Sequence, residues 1–116
     1  MSLFNKFMGS KEEVDIEEFL NALDDQEDIY ADADALVKPV SLQSDEDVAV
    51  ICKELRAGNI ILVNIADLAK RNALKLRDYV SRVKNEVDAI NGDIARISHD
   101  RILLTPSKVK IVKRKE

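Results

Sequence analysis

The hydrophobic pattern of the chain is most distinctive at Asn59-Ile60-Ile61-Leu62-Val63-Asn64-Ile65, where four large apolar side chains follow one another without a break. A strand with one solvent-exposed face alternates apolar and polar residues, whereas an unbroken run is typical of a strand covered on both faces. Most of the apolar residues are Ile or Val, which favour extended backbone. The segment is therefore predicted to be the inner strand of a small α/β domain.

Helical spacing of apolar residues is found on both sides of this strand. Before it, Ser44 is a favourable N-cap for a helix over residues 44–57, three acidic residues follow it, and Gly58 ends the helix. The buried stripe of this helix is predicted to contain Val48, Ile51, Cys52 and Leu55.

A second helix is predicted over residues 67–90, with Asp67 as its cap. Apolar residues recur at spacings of three and four along it, at Leu76, Val80, Val83, Val87 and Ile90. Asn91-Gly92 is predicted to stop the helix, with Gly92 as the left-handed C-cap.

The remaining strands complete a mixed sheet. Residues 36–42 form a strand that Pro39 places at an edge or a bulge, and short turns join three strands at 93–98, 101–105 and 109–112. The order β-α-β-α-β-β-β predicts an α/β (α+β) domain with two helices on one sheet face. The other face would be lined by Ile94, Leu103 and Val112, and a second copy of the chain is its simplest cover.

The N-terminal residues 1–8 carry a concentrated apolar patch. Leu3, Phe4, Phe7 and Met8 fall on one face of a helix, with Lys6 off that face. Such a short helix is not stable alone in water, but a bilayer interface would stabilise it. The segment is predicted to bind membrane; the alternatives are docking on the protein's own core and an unordered start.

Charge divides the rest of the chain. Residues 9–35 hold eleven acidic residues and one base, Lys11, and are predicted to be a flexible linker before a folded body at 36–116. Within the linker, Ile16, Phe19, Leu20 and Leu23 recur at helical spacing, so a short partner-binding motif is the alternative to a solvated spacer. The last nine residues carry five bases and one acid, and form a basic tail.

Catalytic chemistry has no support in this sequence. Three glycines cannot build a phosphate-binding loop, and the single histidine, His99, is predicted to be a turn residue. Cys52, the only cysteine, fits a reducing cytosol and a core position, and no metal-ligand spacing or cofactor motif is present. No window reaches the roughly 20 apolar residues of a membrane span, and no signal peptide is recognised, so a cytoplasmic location is predicted.

The outer face of the second helix is rich in basic side chains. A solvated surface, a dock for an acidic peptide and a contact for nucleic-acid phosphates are the three interpretations. The residues are Lys70, Arg71, Lys75, Arg77, Arg82 and Lys84. A small nucleic-acid-binding domain that also uses the tail Lys113-Arg114-Lys115 is the alternative function, although no aromatic residue lies on the C-terminal strands to stack bases.

Three segments in the folded body form a recognisable pattern: Val63-Asn64-Ile65, then Ala89-Ile90-Asn91-Gly92-Asp93-Ile94-Ala95-Arg96-Ile97, then Ile102-Leu103-Leu104-Thr105-Pro106. Together, in this order and spacing, they resemble the SepF family, the cell-division proteins that anchor the tubulin-like FtsZ filament to the membrane. The N-terminal segment with its paired Phe residues and acidic linker resembles the family's membrane-targeting region, so the resemblance covers most of the chain in order.

The resemblance implies a homodimeric adaptor without catalysis, peripheral on the inner face of the membrane at the division septum. Its folded body would bind the C-terminal peptide of FtsZ. Bacterial members contact that peptide through a basic residue on the strand after Asn-Gly and an aromatic residue that opens the next strand. The corresponding positions here are Arg96 and Ile102, so Ile102 departs from the aromatic pattern. Asn85 stands where bacterial members tend to have Gly on a polymerising surface, which favours an archaeal-type member that does not form rings.

Overall fold

The structure is a computed structural model that describes residues 15–23 and 27–113. The chain divides into two compact units, with the boundary between Ala33 and Asp34. In the first unit, residues 15–22 form a helix (α1), and a 3-10 helix spans Glu27–Asp32. Residues 15–23 are all exposed to solvent.

The second unit is a mixed α+β domain. Its elements are β1 (Val37–Ser41), α2 (Asp45–Arg56), β2 (Ile60–Asn64), α3 (Ala66–Arg71), α4 (Ala73–Ala89), β3 (Asp93–Ser98) and β4 (Arg101–Thr105). The strands lie in the order β1-β2-β4-β3, with β1 parallel to β2 and the other neighbours antiparallel. The predicted inner strand is confirmed as β2, and the strand with Pro39 is confirmed at an edge.

The fifth predicted strand, residues 109–112, is wrong. Within the described part of the chain the sheet has four strands, and residues 109–113 have no ladder partner. The backbone N–H of Ile111 instead donates to the Asp93 carboxylate at 2.8 Å. The Asp93 side chain thus accepts the Ile111 N–H that would otherwise donate to a neighbouring strand.

Helix α2 begins and ends as the sequence predicts. Ser44 forms a capping box with Asp47: the Asp47 N–H donates to Ser44 Oγ at 3.4 Å, and the Ser44 N–H donates to Asp47 Oδ2 at 3.1 Å. At the other end Gly58 adopts φ +96°. The N–H groups of Gly58 and Asn59 donate back to the carbonyls of Leu55 and Glu54, each at 3.0 Å, which satisfies two otherwise free carbonyls.

The single helix predicted at 67–90 is two helices, and Asp67 is not its cap. The N-cap of α3 is Ile65, and the Asn64 side chain accepts the Ala66 N–H at 2.9 Å. The helix then breaks at Asn72, whose backbone is extended at φ −159° and ψ 87°. Asn72 Oδ1 accepts the Lys75 N–H at 3.1 Å and so caps α4.

Asn91, rather than Gly92, occupies the left-handed position that ends α4. Asn91 has φ 63°, and the N–H groups of Asn91 and Gly92 donate to Asp88 and Val87 at 3.2 and 2.9 Å. Gly92 has another role, because a Cβ there would lie 2.1 Å from the carbonyl oxygen of Thr105. The absence of a side chain lets the start of β3 approach the end of β4 closely.

The hydrophobic core lies between the helices and one face of the sheet. The sheet contributes Ile61, Val63, Ile102 and Leu104, and the helices contribute Val48, Ile51, Leu55, Leu68, Tyr79, Val83 and Val87. Cys52 packs against this cluster, and burial raises the pKa of its thiol, so the thiol is less reactive at neutral pH. All sheet residues in the cluster have the same parity along their strands, so the helices cover one face only.

Candidate partner-binding surfaces

The uncovered face of the sheet is apolar at its centre. The register places Pro39, Leu62, Leu103 and Ala95 in one row across all four strands. Leu62 and Leu103 are half-buried, although no helix covers them in the second unit. A continuous apolar row of this kind in a small domain is typical of an interface.

The predicted composition of this face is partly corrected. Leu103 lies on it, at the centre of the apolar row. Ile94 does not, because it pairs with Leu104 and packs against the core on the helix-covered side. Val112 lies beyond the sheet and is 88% exposed, because the segment that contains it forms no strand. That this face forms a dimer stays a prediction.

One end of the uncovered face is polar. The next row consists of Ser41, Asn64, Arg101 and Ser98. A shallow pocket of about 160 Å³ lies where the two rows meet, lined by Pro39, Val40, Ser41, Leu62, Asn64 and Arg101. The Arg101 guanidinium lies 3.4 Å from the Asp100 carboxylate, so its charge is partly balanced within the loop.

Arg96 and Ile102, which the resemblance assigns to peptide binding, are direct cross-strand partners. Both lie on the helix-covered side of the sheet, and Arg96 is exposed at the β3 edge. Its guanidinium donates to the carbonyl of Ser98 at 3.0 Å and to that of His99, which orients the side chain and leaves further N–H donors free. Ile102 is only 8% exposed because it packs in the core, so it offers little contact area to a partner.

Sequence reasoning missed Ile97 at this edge. The pairing of β3 with β4 shifts between Arg96 and Ser98, and this irregularity leaves Ile97 52% exposed beside Arg96. A bulge commonly redirects a side chain at the edge of a sheet. No residue at 96–98 is of a type that predicts a bulge. The only sequence signal for an exposed Ile97 was its position next to a basic residue on a predicted strand.

A second missed feature is the anchoring of the basic tail by Asp93. The Asp93 carboxylate accepts hydrogen bonds from Lys113 Nζ at 2.8 Å and from the N–H groups of Ile111 and Ile94 at 2.8 and 2.9 Å. The Lys113 bond first, and then the two backbone bonds, hold the pKa of Asp93 well below its usual range. Lys110 Nζ reaches the Asn91 and Gly92 carbonyls at 3.2 and 2.9 Å, so the segment up to residue 113 is fixed to the start of β3.

The basic face of α4 is divided into two parts. Near its middle, Arg82 pairs with Asp45 at 2.9 Å and Asp78 at 3.7 Å, and Lys84 pairs with Asp88 at 3.0 Å. The cations at the start of the helix and on α3 form no salt bridge within residues 27–113. The predicted continuous basic face is therefore concentrated at the junction of α3 and α4.

Only some of the residues named in the N-terminal predictions lie in the described part of the chain. Ile16, Phe19, Leu20 and Leu23 are each more than half exposed, on or just after α1. The predicted membrane-binding residues, Leu3, Phe4, Lys6, Phe7 and Met8, lie outside the described residues.

The described residues contain neither a cluster of metal ligands nor a helix that could span a membrane. Among residues 15–23 and 27–113, no three His, Cys, Asp or Glu side chains are grouped closely enough to hold a metal ion. In the same ranges, no helix combines the length and the apolar composition that crossing a bilayer requires. His99 lies in the turn between β3 and β4, as predicted.

Three archaeal proteins of known structure share this fold. A SepF-like protein from Archaeoglobus fulgidus is 22% identical with a TM-score of 0.64, covering 70% of this chain and 96% of its own. A SepF-like protein from Pyrococcus furiosus is 26% identical with a TM-score of 0.61, covering 66% and 92%. Cell division protein SepF from Methanobrevibacter smithii, in complex with FtsZ-CTD, is 12% identical with a TM-score of 0.61, covering 68% and 99%.

Sequence comparison identifies the same family. Cell division protein SepF of Bifidobacterium animalis subsp. lactis is 34% identical over 70 residues, and that of Clostridium kluyveri is 31% identical over 83 residues. The alignments cover 60% and 72% of this chain but only 43% and 53% of the relatives, so the chain spans about half their length. The family model for cell division protein SepF matches residues 37–111, which is well over half of the 116 residues. The chain therefore belongs to the SepF family of cell-division proteins.

Proposed function

We propose that this protein is a non-enzymatic adaptor of cell division that links FtsZ filaments to the cytoplasmic face of the membrane at the division site. The family match over residues 37–111 is the observation that carries this proposal. A SepF of the same fold, from Methanobrevibacter smithii, is in complex with FtsZ-CTD, which supports an FtsZ peptide as the partner. The peptide, a second copy of the chain and the lipid surface each need a binding surface.

The FtsZ peptide binds at the β3 edge in this proposal. Arg96 is exposed there, and two loop carbonyls already orient its guanidinium, so pairing with a peptide carboxylate requires little additional ordering. Ile97, 52% exposed beside it, supplies apolar contact that the buried Ile102 cannot. Ile102 then acts indirectly, by packing under the strand that presents Arg96.

Calorimetry with the C-terminal peptide of the host's own FtsZ tests this assignment. Arg96→Glu is expected to weaken binding by about tenfold or more, because a charge-assisted hydrogen bond contributes roughly 1.5–3 kcal/mol and the variant adds repulsion. Lys53→Glu, which reverses an exposed charge on α2, is the matched control and should bind as the wild type does. Equal affinity of the Arg96→Glu and wild-type proteins would place the peptide elsewhere.

The uncovered sheet face forms the homodimer in this proposal. Leu62 and Leu103 are adjacent in its central apolar row, and a second copy would remove both from water. Leu103→Glu should convert a dimer into a species with the 13.1 kDa mass of one chain in sedimentation analysis. Val50→Glu, which places the same charge on an exposed helix position, is the control and should remain dimeric. A dimeric Leu103→Glu protein would exclude this face.

The membrane anchor in this proposal is the apolar segment with Leu3, Phe4, Phe7 and Met8. Phe4→Glu combined with Phe7→Glu should abolish flotation of the full chain with vesicles of neutral lipid, because each charged residue opposes burial in the interface. Phe19→Glu combined with Leu23→Glu adds the same two charges at exposed apolar positions outside the segment and is the control. Undiminished flotation of the double variant would remove the anchor from residues 3–8.

A further inference from the structure

The junction of α3 and α4 is an exposed corner of the second unit. Residues 69–75 are all exposed, which is a run of seven consecutive positions. The corner is fixed by the backbone of Asn72, whose N–H donates to the Leu68 carbonyl at 2.8 Å and whose carbonyl accepts the Leu76 N–H at 3.1 Å. Leu68 is buried in the core beneath it.

Positive charge is concentrated at this corner. It carries Lys70, Arg71, Lys75 and Arg77, and no acidic residue occurs between Asp67 and Asp78. Arg71 donates to the neutral side chain of Gln43 at 3.4 Å, and Lys75 lies over the Tyr79 ring at 5.8 Å. Neither contact neutralises a cation, so the four charges act together on whatever approaches the corner.

An apolar side chain lies among these cations. Leu74 is 73% exposed in the first turn of α4, although its neighbour Leu76 packs against the core. A leucine in the middle of a basic surface gains nothing from a phosphate backbone. It gains from the acyl boundary of a bilayer, where basic residues contact anionic headgroups and apolar residues enter below them.

We propose that this corner is a second membrane contact, in which Lys70, Arg71, Lys75 and Arg77 bind anionic lipid headgroups and Leu74 enters the interface. The contact supplements the N-terminal anchor and rests on the proposed attachment to membrane for its role in the cell. Seven consecutive exposed positions leave the corner accessible to a planar layer of headgroups. It would hold the folded body against the lipid surface through a contact that salt weakens.

The test uses the full chain with vesicles of phosphatidylcholine alone and of phosphatidylcholine mixed with phosphatidylglycerol in equal parts. Each cation near an anionic surface contributes about fivefold to partitioning, so Lys70→Gln with Lys75→Gln should lower binding to the mixed vesicles about twenty-five-fold. Binding to the neutral vesicles should not change. Lys53→Gln with Lys84→Gln removes the same charge from other helix surfaces and is the matched control. Leu74→Ser should weaken binding to the mixed vesicles without any change of charge.

Each result separates the corner from the N-terminal anchor. Phe4→Glu with Phe7→Glu should lower binding to both kinds of vesicle. If this double variant instead binds as the wild type does, the N-terminal anchor is wrong, but a loss of binding to mixed vesicles by Lys70→Gln with Lys75→Gln still supports the corner contact. Unchanged binding of the corner variant to mixed vesicles, or an equal loss in the Lys53 and Lys84 control, would overturn the proposal. Loss of duplex DNA retention by the corner variant with unchanged vesicle binding would also overturn it, in favour of nucleic acid.

Discussion

Gly92→Ala tests the close approach of β3 to β4 more directly than any other single substitution. The added Cβ would lie 2.1 Å from the Thr105 carbonyl oxygen and 3.2 Å from the carbonyl oxygen of Pro106. A carbon normally approaches a carbonyl oxygen to no less than about 3.3 Å, so the two segments must separate by about 1.2 Å. Both obstacles are backbone atoms, which cannot rotate away as a flexible side chain would.

The expected cost is about 3 kcal/mol or more, at the upper end of the range for overpacked sites. For a folded unit of this size, a loss of that magnitude lowers the midpoint of thermal unfolding by roughly 12–24 °C. Separation of the strands would also disturb the hydrogen bond from the Lys108 N–H to the Asn91 carbonyl, now 3.0 Å long. Loosening of the C-terminal segment should therefore accompany the loss of stability.

Gly58→Ala is the matched control, because Gly58 has the left-handed φ of +96° but no atom within 4 Å of an added Cβ. Its cost is limited to backbone strain of about 1–2 kcal/mol. Denaturant unfolding of both variants, followed by circular dichroism, gives the two free energies of unfolding on one scale. The reasoning is refuted if Gly92→Ala is no less stable than Gly58→Ala.

Three further substitutions probe the core, the helix cap and the C-terminal anchor. Leu104→Ala, on an inner strand and fully buried, should lower the free energy of unfolding by about 2–5 kcal/mol in urea denaturation, and a smaller loss than about 1 kcal/mol would contradict the core assignment. Ser44→Ala should cost about 1 kcal/mol by the same assay, whereas Ser41→Ala on the exposed strand should be near neutral. Asp93→Asn should destabilise the fold at neutral pH. Because the pKa of Asp93 is lowered on folding, its stabilising effect is present above the unfolded pKa of about 3.9 and is lost as pH falls below it. The difference in stability between Asp93→Asn and the wild type should therefore shrink below about pH 4, and a constant difference would show that ionisation is not the cause.

Local signals were sufficient for β2 and α2. The unbroken apolar run at 60–63 indicates an inner strand, and the Ser44 cap with Gly58 at the other end fixes the limits of one helix. These features depend on residues within one or two turns of each other, so the sequence predicts them without knowledge of the rest of the fold. Leu103 was assigned to the uncovered face correctly and Ile94 wrongly, because strand alternation separates the two faces without identifying which one the helices cover.

Features that depend on distant contacts could not be predicted. Both Asn91 and Gly92 can adopt a left-handed backbone, and the choice is set by Gly92 meeting Thr105 across the sheet. Residues 109–112 have a strand-like pattern, but the Asp93 carboxylate captures the Ile111 N–H. The break between α3 and α4 occurs at Asn72, where no neighbouring Gly or Pro predicts the end of a helix.

The candidate site likewise combines features that the sequence predicts with features that depend on distant contacts. The resemblance identified Arg96 and Ile102 as a pair, and the register makes them cross-strand neighbours. It did not reveal that Ile102 is buried in the core or that the irregular pairing exposes Ile97. Burial of a strand residue depends on which helix lies over it, and a bulge depends on the partner strand, so neither follows from residue types alone.

The strand order has a consequence for how the chain folds as it is made. The last strand to leave the ribosome, β4, lies between β2 and β3, so β3 has no partner and β2 has only β1 until residue 105 has emerged. Until then the backbone N–H and C=O groups that pair with β4 are unpaired along β2 and β3, which favours association with chaperones or with other nascent chains. A chain that is truncated after β3 should therefore not fold into a smaller version of the domain. Loss of β4 should be as damaging as loss of β2, because both are inner strands of the sheet.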